Sequence, residues 1–201
     1  MTLLEHILEY NEEFVANKAY EAYSTSKTPS KKAVLLTCMD TRLQDLSTKA
    51  LGFNNGDLKV VKNAGATISH PFGSTMRSLL VGIYALGAEE IIIMGHKDCG
   101  MGNINVEEVM TTMQQRGVDE QVIDILNYSG IDVSNFLKGF DDVYDNVKHN
   151  IEMIYEHPLF DNKVPVHGLV IDPHTGELDL VHNGYERAES YQNWLYIFNG
   201  W

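Results

Sequence analysis

The chain has 201 residues, 44% of them hydrophobic and 21% charged, and its formal net charge is −13. That length and apolar content suit one globular core, while the acidity excludes a nucleic-acid surface, which needs clustered Lys and Arg, and an anchor on anionic lipid. No apolar run approaches the roughly 18 residues that cross a bilayer, and no leader peptide is visible after Met1.

Residues 2–24 carry Leu3, Leu4, Ile7, Leu8, Phe14 and Val15 at the spacing of an amphipathic helix, or of two short ones. Thr2 and Glu5 are placed as a capping box. Ser24 to Lys32 reads as a polar linker into a first strand, Ala33 to Thr37. A short helix follows over Leu43 to Ala50, then a turn at Asn54-Asn55-Gly56-Asp57. Leu58 to Lys62 is the second strand, with the loop Asn63-Ala64-Gly65-Ala66 at its carboxyl end. Phe72 to Leu86 has helical periodicity and stops at Gly87. Glu90 to Met94 is the third strand. Residues 104–156 read as several helices broken at Gly117, Gly130 and Gly139. Val164 to Ile171 is a fourth strand, and Glu177 to Val181 a fifth, paired to it as a hairpin. The alternation predicts an α/β fold whose mostly parallel central sheet is flanked by helices and carries an antiparallel edge strand at its C-terminal end. The aromatic tail Tyr191 to Trp201 is expected to dock on the body or on a partner subunit.

Both cysteines fall at the carboxyl ends of predicted strands, where open α/β sheets collect ligands. Cys38 opens Cys38-Met39-Asp40-Thr41-Arg42; Cys99 closes His96-Lys97-Asp98-Cys99. Taken singly, each cysteine reads as a small buried hydrophobe. Together with His96 they make a three-ligand zinc set with one position open, the pattern of catalytic rather than structural sites. Two thiolates fit metal ligands in a reducing cytoplasm better than a disulfide, and a redox role lacks the Cys-x-x-Cys spacing. Gly100 is expected to let the backbone approach the metal. Asp40 either accepts a hydrogen bond from the metal-bound nucleophile, with Arg42 holding it ionised, or binds the metal itself and closes the site. His70 is the one further histidine expected near the chemistry, as a proton carrier. Asp98 reads as a turn carboxylate, and Asn63 to Ala66 reads as a plain turn or as a set of N–H groups for an anion.

Cys-x-Asp-x-Arg followed by His-x-x-Cys resembles the fingerprint of the β-class carbonic anhydrases. Asn63-Ala64-Gly65 and Val166-His167-Gly168 also match in order, so the resemblance covers roughly residues 30–182. It implies reversible hydration of carbon dioxide to bicarbonate and a proton by zinc-bound hydroxide. One Zn2+ per subunit would be held by Cys38, His96 and Cys99, and Asp40 and Arg42 would form the orienting dyad. It also implies an N-terminal helical arm, residues 1–28, embracing a second subunit, ahead of a zinc-binding α/β domain over 29–201, and hence a homodimer or larger assembly. Met39 and Thr41 replace the commoner serines, and Met101 follows Gly100 in place of glycine. The chain thereby resembles the short bacterial and archaeal branch, whose relatives include hydrolases of carbonyl sulfide and carbon disulfide. A low-activity zinc- or bicarbonate-binding protein is the remaining alternative.

Overall fold

The computed structural model describes residues 1–187, so the aromatic tail lies outside the described residues. Helix α1 (Leu3–Ala16) opens with the expected capping box: Thr2 Oγ1 accepts from the Glu5 N–H, and Glu5 Oε2 accepts from the Thr2 N–H. A 3-10 turn at Ala19–Tyr23 follows. The body then runs β1 (Ala33–Cys38), α2 (Leu43–Lys49), β2 (Leu58–Asn63), α3 (Ser74–Leu86), β3 (Glu90–His96), α4 (Val106–Gln115), α5 (Glu120–Tyr128), α6 (Val133–Leu137), α7 (Val143–Tyr155), β4 (Val166–Ile171) and β5 (Leu178–His182). The five strands form one sheet in the order β2-β1-β3-β4-β5. The first four are parallel and β5 is antiparallel at the edge.

All six residues of β1 are buried. This is why Ala-Val-Leu-Leu-Thr-Cys shows no alternation: a central parallel strand is covered on both faces. On one face Val34, Leu36, Ile91, Ile93, Val166 and Val170 pack under α3 and α7. On the other, Leu35, Met94 and Ile171 join Leu43 of α2 and both cysteines. Gly117, Gly130 and Gly139 separate α4 through α7, as the sequence suggests, and the first two have positive φ.

Several boundaries differ from the sequence reading. Strands β1 and β3 run on through Cys38 and His96, because ladder pairing continues to the sheet's end; the Met39 N–H still donates to the Asn63 carbonyl (2.9 Å). Helix α3 starts at Ser74, since Gly73 is extended (φ −82°, ψ 175°). Strand β4 starts at Val166, after Pro165, which has no N–H to give the ladder. Among the described residues no helix is long and apolar enough to cross a membrane.

Candidate metal centre

The chain runs from β1 outward to β2 and then returns to the other side of β1 as β3. The crevice between the carboxyl ends of β1 and β3 is therefore the switch point of the sheet. Cys38 is the last residue of β1 and His96 the last of β3, so sheet pairing alone brings them together. A tight turn then returns Cys99 to the same spot, with Asp98 in the left-handed region (φ 53°).

The two Sγ atoms lie 3.9 Å apart, and the Cys38, His96 and Cys99 donor atoms all lie within 4.8 Å of one another. All three side chains are buried. Two thiolates on one tetrahedral zinc at 2.3 Å would sit about 3.8 Å apart, so the spacing fits such an ion. His96 Nδ1–H donates to the Lys97 carbonyl (2.8 Å), while its Nε2 is buried with no protein partner. An imidazole tied at one nitrogen and free at the other is how histidine presents itself to a metal. Charge within the cluster is shared unevenly. The Cys38 thiol is held low by its hydrogen bond with Cys99, against its burial, with help from His96 and the backbone N–H groups of Asp40 and Gly65. The Cys99 thiol is pushed up by the same contact with Cys38 and by burial. For His96, burial favours the neutral ring, but Cys38, the Lys97 carbonyl and Asp40 together outweigh it and raise its pKa.

Asp40 lies beside this cluster, with Oδ2 3.9 Å from His96 Nε2. Arg42 grips it with three donors: the backbone N–H and Nε–H to Oδ1 (2.8 and 3.0 Å), and Nη2–H to Oδ2 (2.8 Å). That bidentate pair brings the Asp40 pKa down to about 2. Arg42 also donates to Asp98, from Nη1 to Oδ2 and from Nη2 to the backbone carbonyl (both 2.9 Å). Asp98 therefore does more than shape a turn, since it ties the His96–Cys99 segment to the Asp40–Arg42 pair.

A Cβ at Gly100 would meet no protein atom within 4 Å, whereas one at Gly65 would sit 3.0 Å from Met101 and Phe140. The Gly65 N–H points at Cys38 Sγ (3.4 Å). His70 is not one of the three clustered donors; it lines a cleft of about 820 Å³ shared with Thr67, Phe136, Phe140 and His149, and its Nδ1 accepts from the Phe72 N–H.

Four contributors escaped the sequence reading. Met101 and Phe140 pack against the buried cluster that contains both cysteines, and Asn146 and Asn150 of α7 hold the Gly65 loop. Phe140 is delivered by a clasp: its N–H donates to the Met101 carbonyl (3.3 Å), and Gly139 lies so close to that carbonyl that no side chain would fit. The two asparagines did leave a signal. They sit four residues apart on the stripe of α7 that also carries Val147, Ile151 and Ile154, where polar side chains need a reason to be buried.

Residues 33–178 match a family described as carbonic anhydrase. Over 186 residues the chain is 53% identical to YvdA of Bacillus subtilis (strain 168), a protein assigned as a carbonic anhydrase only provisionally; the alignment covers 92% of this chain and 94% of that one. The crystal structure of β-carbonic anhydrase isoform I from Trichomonas vaginalis superposes with a TM-score of 0.83 at 35% identity, covering 92% of this chain and 100% of that chain. The carbon disulfide hydrolase of Saccharolobus solfataricus is 28% identical over 202 residues, 93% of this chain and 97% of that protein. Likeness in sequence across nearly the whole sheet, and in fold across the full length of a solved relative, makes this chain a member of the β-carbonic anhydrase family.

Proposed function

We propose that the chain is a zinc lyase catalysing reversible hydration of carbon dioxide to bicarbonate and a proton. Cys38, His96 and Cys99 would hold one Zn2+ per subunit, and Asp40 and Arg42 would orient the nucleophile. The observation that carries this reading is the convergence of three buried donor atoms within 4.8 Å beside a carboxylate already gripped by arginine. Zinc, when bound, supplies the Lewis acidity that lets a water molecule ionise near neutral pH. Everything else falls to side chains of this protein. Lys97 fixes the His96 tautomer so that Nε2 faces the metal position. Arg42 occupies both Asp40 oxygens, which favours Asp40 as a hydrogen-bond acceptor for the attacking O–H over Asp40 as a fourth ligand. A fixed acceptor there aims the nucleophile's lone pair at the carbon of the substrate. Asp98 steadies Arg42 from the other side.

The test is stopped-flow carbon dioxide hydration at pH 7 to 9 on protein with measured stoichiometric zinc. Fast turnover that disappears with zinc removal and in Cys38→Ser is the expected result; full zinc without turnover overturns the reading. One observation favours a second substrate class. Met101 and Phe140 add apolar surface to the cluster that contains both cysteines, which suits carbonyl sulfide or carbon disulfide, and the Saccharolobus relative named above is a carbon disulfide hydrolase. Release of hydrogen sulfide from either compound by zinc-loaded protein inactive on carbon dioxide would select it. A low-activity zinc- or bicarbonate-binding role is left for protein inactive on all three.

We also propose that residues 1–28 form an arm that docks on a second copy, ahead of a metal-binding unit over 29–201, giving at least a homodimer. No residue of α1 is buried, and Leu3, Leu4, Ile7 and Leu8 are 51 to 76% exposed. A helix with an apolar stripe and no cover among the described residues is suited to a partner. Two unpaired cysteines accord with a cytoplasmic location.

A further inference from the structure

We infer that Asn146 and Asn150 are positioning residues for the metal centre: they clamp the Gly65–Ile68 loop so that the Gly65 N–H stays on the Cys38 sulfur and tempers its donation to the metal. The inference rests on the proposal that Cys38 is a ligand and goes beyond it, into what sets that ligand's strength. Asn150 is fully buried and Asn146 nearly so, at 7% exposed. Their amides are spent on one short segment. Asn146 Nδ2–H donates to the Gly65 carbonyl (3.1 Å), and Asn150 Nδ2–H to the carbonyls of Ala66 and Asn146 (3.2 and 2.8 Å). Asn150 Oδ1 accepts from the Ile68 N–H (2.7 Å). Thr67 Oγ1–H closes the set, within 3.3 Å of both Asn146 Oδ1 and the Gly65 carbonyl.

This bonding holds a backbone that would not choose its own shape. Gly65 and Ala66 both have positive φ, 77° and 54°. Alanine avoids that region, so the surroundings must impose it. What the imposed turn achieves is direction: the Gly65 N–H aims at Cys38 Sγ at 3.4 Å. A hydrogen bond donated to a metal-bound sulfur draws charge from it, as hydrogen bonds to cluster sulfurs do when they tune iron–sulfur potentials. A loop needing only structural support would not require two buried amides on a helix whose stripe is otherwise apolar.

The experiment uses the full chain loaded with cobalt(II) or cadmium-113. In Asn146→Ser and Asn150→Ser the shortened side chains release the loop, and the thiolate-to-cobalt charge-transfer band should move to longer wavelength as Cys38 donates more strongly. Ile154→Val, on the same helix and equally buried, should leave the band in place. An unmoved band in either folded asparagine variant, or an equal shift in the control, overturns the clamp. Protein that takes up no cobalt overturns the metal reading and this inference with it, a different failure. Should neither variant fold, unmutated cadmium protein decides: magnetisation transfer between cadmium and the Gly65 amide proton supports the inference, and its absence overturns it.

Discussion

At the scale of single residues, the proposed chemistry turns on a carboxylate that arginine keeps ionised. Asp40→Asn should retain zinc, since Asp40 is not among the three clustered donors, yet lose about 100-fold or more in turnover, the usual range for a misplaced acid–base partner. Metal analysis beside stopped-flow kinetics checks this, and normal turnover removes Asp40 from the mechanism. The same pair predicts an acid signature. Asp40 ionises at about 2 in the folded chain, below the 3.8 of a free aspartate. Its contribution to stability is therefore complete above about pH 4 and is lost as pH falls through about 2. Urea titrations from pH 6 to 2 should show the gap between wild type and Asp40→Asn constant at the upper end and closing at the lower. Cys38, Asp40, Arg42, His96 and Cys99 were legible because their chemistry is rare at those spacings. Asp98, Phe140 and the asparagines were not, because the partners that place them lie from 39 to over 80 residues away and only the folded backbone makes them neighbours.

At the scale of elements, the approach of α3 to β1 sets the spacing of that face. A Cβ at Gly82 would lie 2.4 Å from Val34 Cγ2. Gly82→Ala brings about 1 kcal/mol of helix propensity against about 1–3 kcal/mol of overpacking, so net loss is expected in chemical denaturation; Val34→Ala should restore stability to the Gly82→Ala chain. Gly65→Ala faces a harsher test, since positive φ and contacts with Met101 and Phe140 add. A loss of about 2 kcal/mol or more is expected. The strands and helices themselves were readable from periodicity and from breakers such as Gly117 and Gly130. Their ends were not, because backbone pairing carries β1 and β3 on to Cys38 and His96, and hydrophobicity does not record that.

At the scale of the whole molecule, the fold class and the parallel-then-antiparallel order followed from the alternation of elements, while the exposed stripe of α1 is what supports the proposed docking on a second copy. Removing residues 1–24 should shift sedimentation from an oligomer to a monomer while leaving the monomer's helical signal otherwise intact; an unchanged oligomer would place the interface elsewhere. The clasp between Met101 and Phe140 has its own consequence. The helical excursion α4–α6 leaves and re-enters the body at a single hydrogen bond, so to the sheet it is a closed loop with almost no span. Doubling a loop's length costs only about 0.6 kcal/mol in closure. Evolution can therefore lengthen, trim or exchange this excursion as a cassette, and engineers can splice a foreign segment into it, without retuning the donors a few residues away.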